Sequence, residues 1–218
     1  MANRSPLTVA FLLFDGFTAL DLVGPYEVLS RVPKATMHFV AADATRATDK
    51  VGALTLLIPN ALDDVPNPDI VVVPGGEGVH AACNDARILR WLSEAHETSQ
   101  FTTSVCTGAL LLGAASILRG RRATTHWLSM PDLATHGAEP THERVVTDGK
   151  VMTAAGVSAG IDLAIRLAAE VAGERTAQAI QLSLEYAPEP PYAAGSPDTA
   201  PPAITAFVRE ADARQWAR

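Results

Sequence analysis

Apolar positions in this chain come in short unbroken runs that alternate with stretches of helical spacing. Thr8 to Phe14 is one such run, ending at Asp15-Gly16, the pattern of a central strand covered on both faces. Met37 to Ala42 and Asp69 to Val73 repeat it, the second ending at Pro74-Gly75-Gly76, and a further strand runs up to Val105. Leu54 to Ile58 reads as a short edge strand or one arm of a hairpin. Helical spacing follows the first strand, returns near Ile88 to His96 and again from Thr107 to about Leu118. A third alanine-rich helical region runs from about Ser158 to Leu184. Strands and helices alternating in this way predict an α/β fold around a parallel, doubly wound sheet. Arg144 to Thr153 reads as two arms around the Asp148-Gly149 turn, which adds a β-hairpin to that sheet.

The periodicity breaks at Ala187 to Pro202, which is too rich in proline for helix or central strand. An extended arm is expected there, followed by an amphipathic stretch from Ala203 to Trp216. Such a stretch needs something to pack on, so the arm is read as lying across the domain or a partner subunit, the alternative being a disordered linker.

With 218 residues, 48% of them hydrophobic, the chain can bury one sizeable core, and a single domain over 1–218 is expected. The longest apolar runs fall well short of the roughly 20 residues of a membrane helix. A net charge of −7 with scattered Lys and Arg gives no electrostatic footprint for a phosphate backbone. Neither membrane nor nucleic acid is an expected partner. Two cysteines, Cys83 and Cys106, with no signal peptide ahead of the first strand, point to a reducing, cytoplasmic compartment.

Candidate chemistry centres on Thr103-Ser104-Val105-Cys106-Thr107-Gly108, where a strand stops on a cysteine and a helix begins at once. A sharp strand-to-helix turn pushes its tip side chain out of the sheet, and a helix N-terminus favours thiolate. Cys106 is therefore expected to be exposed and acidified; the alternative is a small buried apolar residue. Asp21 falls on the apolar helical stripe Phe17, Leu20, Gly24 and Val28 rather than on the wet face. It is either an inward functional carboxylate or the first-turn acid of a capping box with Thr18, and Pro25 is expected to distort the helix beside it. Both loops open at the carboxyl edge of the sheet, as does Gly75-Gly76-Glu77-Gly78, whose amides are candidate donors to developing negative charge. His126 is a candidate pocket or structural residue. His142 and Glu143 read as surface groups, and Cys83 as non-catalytic. No metal-ligand spacing occurs, so no metal is expected.

The elbow, the Pro74-Gly75-Gly76 turn and the Ala123-Thr124-Thr125-His126-Trp127 run together resemble the ThiJ/PfpI superfamily, relatives of class I glutamine amidotransferases. Within it, Leu20 to Pro25, Thr103 through Trp127, His142 to Val146, Leu184 to Pro188 and Gly195 to Pro201 resemble the isocyanide hydratases. The resemblance implies a flavodoxin-like three-layer sandwich and a homodimer. It implies a cofactor-free hydration of an isocyanide, R–NC, to an N-substituted formamide. Cys106 would be the nucleophile, Asp21 the proton carrier and Thr107 an orienting group. Amides at Gly75, Gly76 and Thr107 would steady charge, and His126 and Val157 would line the pocket. Thr107 stands where peptidase-like and deglycase-like branches typically carry histidine, which weakens those readings. A non-enzymatic thiol sensor or ligand-binding relative is the alternative.

Overall fold

The computed structural model describes residues 6–43 and 45–216. The first half of the chain forms β1 (Leu7–Leu12), α1 (Ala19–Leu29), β2 (Ala35–Ala41), β3 (Arg46–Thr48), β4 (Thr55–Leu57), β5 (Asn60–Ala61), β6 (Ile70–Val73), α2 (Val79–Ala82) and α3 (Ala86–Thr98). Then come β7 (Phe101–Val105), α4 (Gly108–Ala114), β8 (Arg122–Ala123), α5 (Met130–Thr135), β9 (Glu139–Pro140), β10 (Val145–Asp148), β11 (Val151–Ala154), α6 (Ala159–Ala172) and α7 (Glu174–Ser183). One compact unit ends at Leu184; a second begins at Glu185 and holds α8 (Pro202–Trp216) after a stretch without helix or strand.

The apolar runs become the middle of a seven-stranded sheet in the order β10-β11-β7-β6-β1-β2-β5. All neighbours pair in parallel except β10 with β11. Ile70, Val71, Val72 and Val73 are each 0% exposed, and burying a side chain of this kind contributes about 1.5–3 kcal/mol. Helices cover both faces, giving the flavodoxin-like α/β sandwich. Because β2 and β6 flank β1 on opposite sides, the chain's winding reverses there, and a crevice opens at the carboxyl ends of β1 and β6. The loops after β1, β6 and β7 all meet at that crevice.

One crossing of helices fixes the crevice wall. α1 packs against α6, and the contact is made on small residues. A Cβ at Gly24 would stand 3.1 Å from Ile161 Cγ1, and one at Gly160 would stand 3.0 Å from both Val105 γ carbons and 3.2 Å from Pro25 Cγ. The helix α1 runs unbroken through Pro25, whose missing N–H leaves the Asp21 carbonyl without its intrahelical donor.

Several boundaries differ from the sequence reading. Leu54 to Ile58 is a hairpin arm, β4 pairing antiparallel with β3. The helix after Cys106 ends at Ala114, short of Leu118. The region from Ser158 to Leu184 is two helices, parted at Gly173, whose φ of 89° no helix can carry. In the second unit, Ile204, Phe207 and Val208 of α8 are exposed. Among the described residues no helix is long and apolar enough to cross a membrane.

Candidate active site

Cys106 follows β7 directly and sits at φ 56°, a left-handed conformation that costs a non-glycine residue roughly 1–3 kcal/mol. The turn survives because it is held on all sides. The Cys106 N–H donates to the carbonyls of Ala154 and Ala155 at 3.1 and 2.9 Å, and the Thr125 hydroxyl donates to the Cys106 carbonyl at 2.8 Å. Gly108 then lets the chain pass close to β6: a Cβ there would lie 2.4 Å from the Val73 carbonyl oxygen.

The sulfur does not meet the expectation of an exposed, acidified thiolate. Cys106 is 6% exposed, and burial, reinforced by the Asp21 charge, pushes its thiol up to about 12. Hydrogen bonds from Thr107 and the charge of Lys50 offset this only in part. The helix behind it spans 7 residues, and its N-terminal dipole does not overcome desolvation of the sulfur.

Asp21 is 0% exposed, on the inner side of α1 as its spacing predicts. Its neighbour Leu20, placed on the same stripe from the sequence, is instead 42% exposed. The capping-box alternative is not realised. Thr18 makes no side-chain cap bond, and its N–H, which the Asp21 carboxylate would have to accept, goes to the Gly75 carbonyl at 2.8 Å. Asp21 Oδ2 accepts the Gly75 N–H at 2.9 Å, while Oδ1 is buried with no hydrogen-bond partner. Burial raises the carboxyl from 3.8 to about 7; the Gly75 N–H, the Lys50 charge and the Cys106 thiol oppose that rise. The result is a carboxyl whose proton affinity lies near neutrality beside a protonated thiol.

The N–H groups of Gly75 and Gly76, expected as donors to developing charge, are both engaged within the protein. The Gly75 N–H is taken by Asp21, and the Gly76 N–H donates to Thr107 Oγ1 at 2.9 Å. The Thr107 hydroxyl in turn donates to the Gly76 carbonyl at 3.3 Å. These glycines thus hold the acid and the threonine in place. A Cβ on Gly75 would fall 2.6 Å from both Thr107 N and Oγ1 and 2.9 Å from Asp21 Oδ2, so no larger residue fits between them.

His126 and Val157 are half-buried. A Cβ on Gly156 would lie 3.5 Å from His126 Cδ2, and Val157 packs against the core. The side chains that weigh most on the sulfur's proton affinity are Asp21, Thr107 and Lys50. His142 and Glu143 are exposed, Glu143 pairing with Arg122 at 2.7 Å. Cys83 is half-buried at the end of α2, its thiol raised by burial. Among the described residues no three histidine, cysteine or carboxylate side chains gather in a way that would hold a metal ion.

Two contributors escape the sequence reading. Lys50 lies after β3, its N–H bonded to the Phe17 carbonyl at 2.9 Å, and nothing in Asp49-Lys50-Val51 signals an approach to Asp21. Thr125 lies inside the run that carries His126, and its neighbour drew the notice.

The model of the DJ-1/PfpI family matches residues 7–170. The isonitrile hydratase of Pseudomonas putida is 46% identical over 94% of this chain and 89% of its own length. A crystal structure of a ThiJ/PfpI family protein from Pseudomonas syringae superposes with a TM-score of 0.93 at 35% identity, covering 97% of this chain and 88% of that one. The HTH-type transcriptional regulator CdhR of Pseudomonas aeruginosa is 28% identical over 81% of this chain but only 53% of its own length.

Proposed function

This chain belongs to the DJ-1/PfpI family, and within it we propose an isocyanide hydratase that works through a covalent cysteine intermediate. The observation that carries the reading is Asp21: a buried carboxyl, one oxygen unpartnered, raised to about 7 beside Cys106. The likeness to an isonitrile hydratase over 94% of the chain supports the same substrate class.

The chemistry follows from the two proton affinities. The terminal carbon of R–NC accepts both a nucleophile and a proton, so the S–H bond is added across one atom. Ionised Asp21 takes the thiol proton as sulfur bonds to carbon and returns it to that carbon, leaving the thioimidate R–N=CH–S–Cys106. A thiol near 12 makes this base necessary, because the thiolate is scarcely populated at neutral pH. Water then attacks the same carbon while Asp21 accepts its proton. The C–S bond breaks, sulfur recovers a proton, and R–N=CH–OH tautomerises to the formamide R–NH–CHO. The Thr107 N–H, which bonds the sulfur, is placed to steady the departing thiolate.

A thiol sensor needs an accessible, thiolate-rich cysteine, so the burial and raised proton affinity of Cys106 weigh against that alternative. No metal or cofactor enters the scheme. A homodimer in the cytoplasm completes the proposal; the exposed Ile204, Phe207 and Val208 of α8 offer a second copy an apolar face at i, i+3, i+4 spacing.

The test is formamide production from a simple aryl isocyanide, corrected for spontaneous hydration. Wild-type protein is expected to turn over and Cys106→Ala to be inert. Turnover by the alanine variant sinks the covalent route; a well-folded wild type inert toward several R groups sinks the hydratase.

A further inference from the structure

Thr125 takes no part in the chemistry above, yet it is 1% exposed and spends its hydroxyl on the carbonyl of Cys106 at 2.8 Å. The bond spans 19 positions of sequence and lands on a residue held in a conformation that most side chains avoid. The Ala109 N–H reaches the same carbonyl at 3.5 Å, too long to hold it. The N–H side of Cys106 is fixed by Ala154 and Ala155, so on the carbonyl side the threonine is the short bond. Thr125 also leads straight into His126 and Trp127, whose half-buried rings lie 6.1 Å apart between centroids. One hydroxyl therefore ties the turn that presents the sulfur to the segment carrying those rings.

We propose that Thr125 is a positioning residue for reaction at Cys106, its hydroxyl clamping the elbow carbonyl so that the sulfur stays beside Asp21. The proposal rests on Cys106 being the nucleophile. Thr125→Val keeps the shape and removes the donor, leaving a buried carbonyl short of a bond. The elbow then relaxes, and a sulfur that was 6% exposed swings away from its base toward solvent.

The experiment pairs isocyanide turnover with iodoacetamide labelling, the two cysteines being resolved by mass spectrometry. For Thr125→Val, kcat is expected to fall by about ten- to a hundredfold while KM holds to within about twofold. Labelling of Cys106 is expected to quicken several-fold with labelling of Cys83 unchanged. Cys83, half-buried at the end of α2, reports any general opening of the fold. Thr125→Ser, which restores the donor, is expected to return both readouts to wild type. Labelling of Cys106 at the wild-type rate, or both cysteines quickening together, overturns the proposal. If the valine variant does not fold, Thr125→Ala against Thr125→Ser makes the same contrast. If wild type hydrates no isocyanide, the hydratase reading fails, and the labelling pair still decides for or against the clamp.

Discussion

The strand β7 has buried polar groups at both ends, and the two ends treat them differently. At the amino end, the Thr102 hydroxyl bonds Ser99 Oγ at 3.0 Å and His96 Nδ1 at 2.8 Å. Lys150 donates to the carbonyls of His96, Glu97 and Ser99 at the close of α3, where a cation complements the helix dipole. Burial, with the charges of Lys150 and Arg121, holds the His96 imidazole below its ordinary range, so the ring stays neutral beside the lysine cation. At the carboxyl end, Asp21 Oδ1 and the Ser104 hydroxyl are buried without partners, and Cys106 and Asp21 are both held far from their ordinary proton affinities. A satisfied cluster stabilises the fold; an unsatisfied one stores reactivity.

The contrast breaks most visibly at Asp21. Asp21→Asn is expected to lower turnover by about 10²- to 10⁴-fold, the usual worth of a positioned acid–base, with circular dichroism unchanged. The same change is expected to raise stability at neutral pH. In the folded chain this carboxyl keeps its proton up to about 7, against 3.8 in the ordinary case. The unfolded chain therefore loses its proton first. The stabilising contribution is whole below that lower value and is lost as pH rises through the upper one, a swing of roughly 4 kcal/mol. Urea titrations at pH 4 and pH 8 should show a larger drop for wild type than for the asparagine variant. The wild-type rate profile should rise through an apparent pKa near 7, as the Asp21 value of about 7 requires of a carboxyl that must be ionised to accept the thiol proton.

Gly75→Ala comes next. Its Cβ, 2.6 Å from Thr107 N and Oγ1, forces the acid and the threonine apart, at an expected cost of about 1–3 kcal/mol together with most of the activity. Lys150→Met sharpens the comparison from the other end. It should cost about 1–3 kcal/mol in chemical denaturation by orphaning helix carbonyls, yet leave kcat where it was; a large drop in kcat would erase the distinction between the two ends. Ser104→Ala is the smallest, expected to lie within about 1 kcal/mol of wild type on the stabilising side, since the hydroxyl removed has no partner to lose.

Legibility followed the range of the interactions. The strands β1 and β6 were legible because their doubly covered positions are filled almost wholly by apolar residues, as Ile70 to Val73 are. The inward turn of Asp21 was legible from spacing along one helix, whereas the outward turn of Leu20 was not, since neighbouring helices decide how wide the buried face is. The position of Cys106 at an elbow was legible. Its burial and proton affinity were not, because they depend on Asp21 and Lys50, which the fold delivers from α1 and from the turn after β3. Pairs as short as β5, or β8 with β9, carry too few residues for any period to register. The break at Gly173 was hidden because a lone glycine inside a helical pattern is often tolerated.

The close crossing of α1 and α6 on Gly24 and Gly160 carries a consequence for anyone wishing to retune the chemistry. Asp21 rides on a helix whose seating is set at its rear surface, where Ile161 waits 3.1 Å from any new methyl group on Gly24. A single added carbon there acts as a shim. The contact must give by a few tenths of an ångström, and the carboxyl is expected to move relative to the sulfur while every group lining the crevice stays chemically as it was. The proton delivery proposed for Asp21 is thereby adjustable from behind, through helix seating alone.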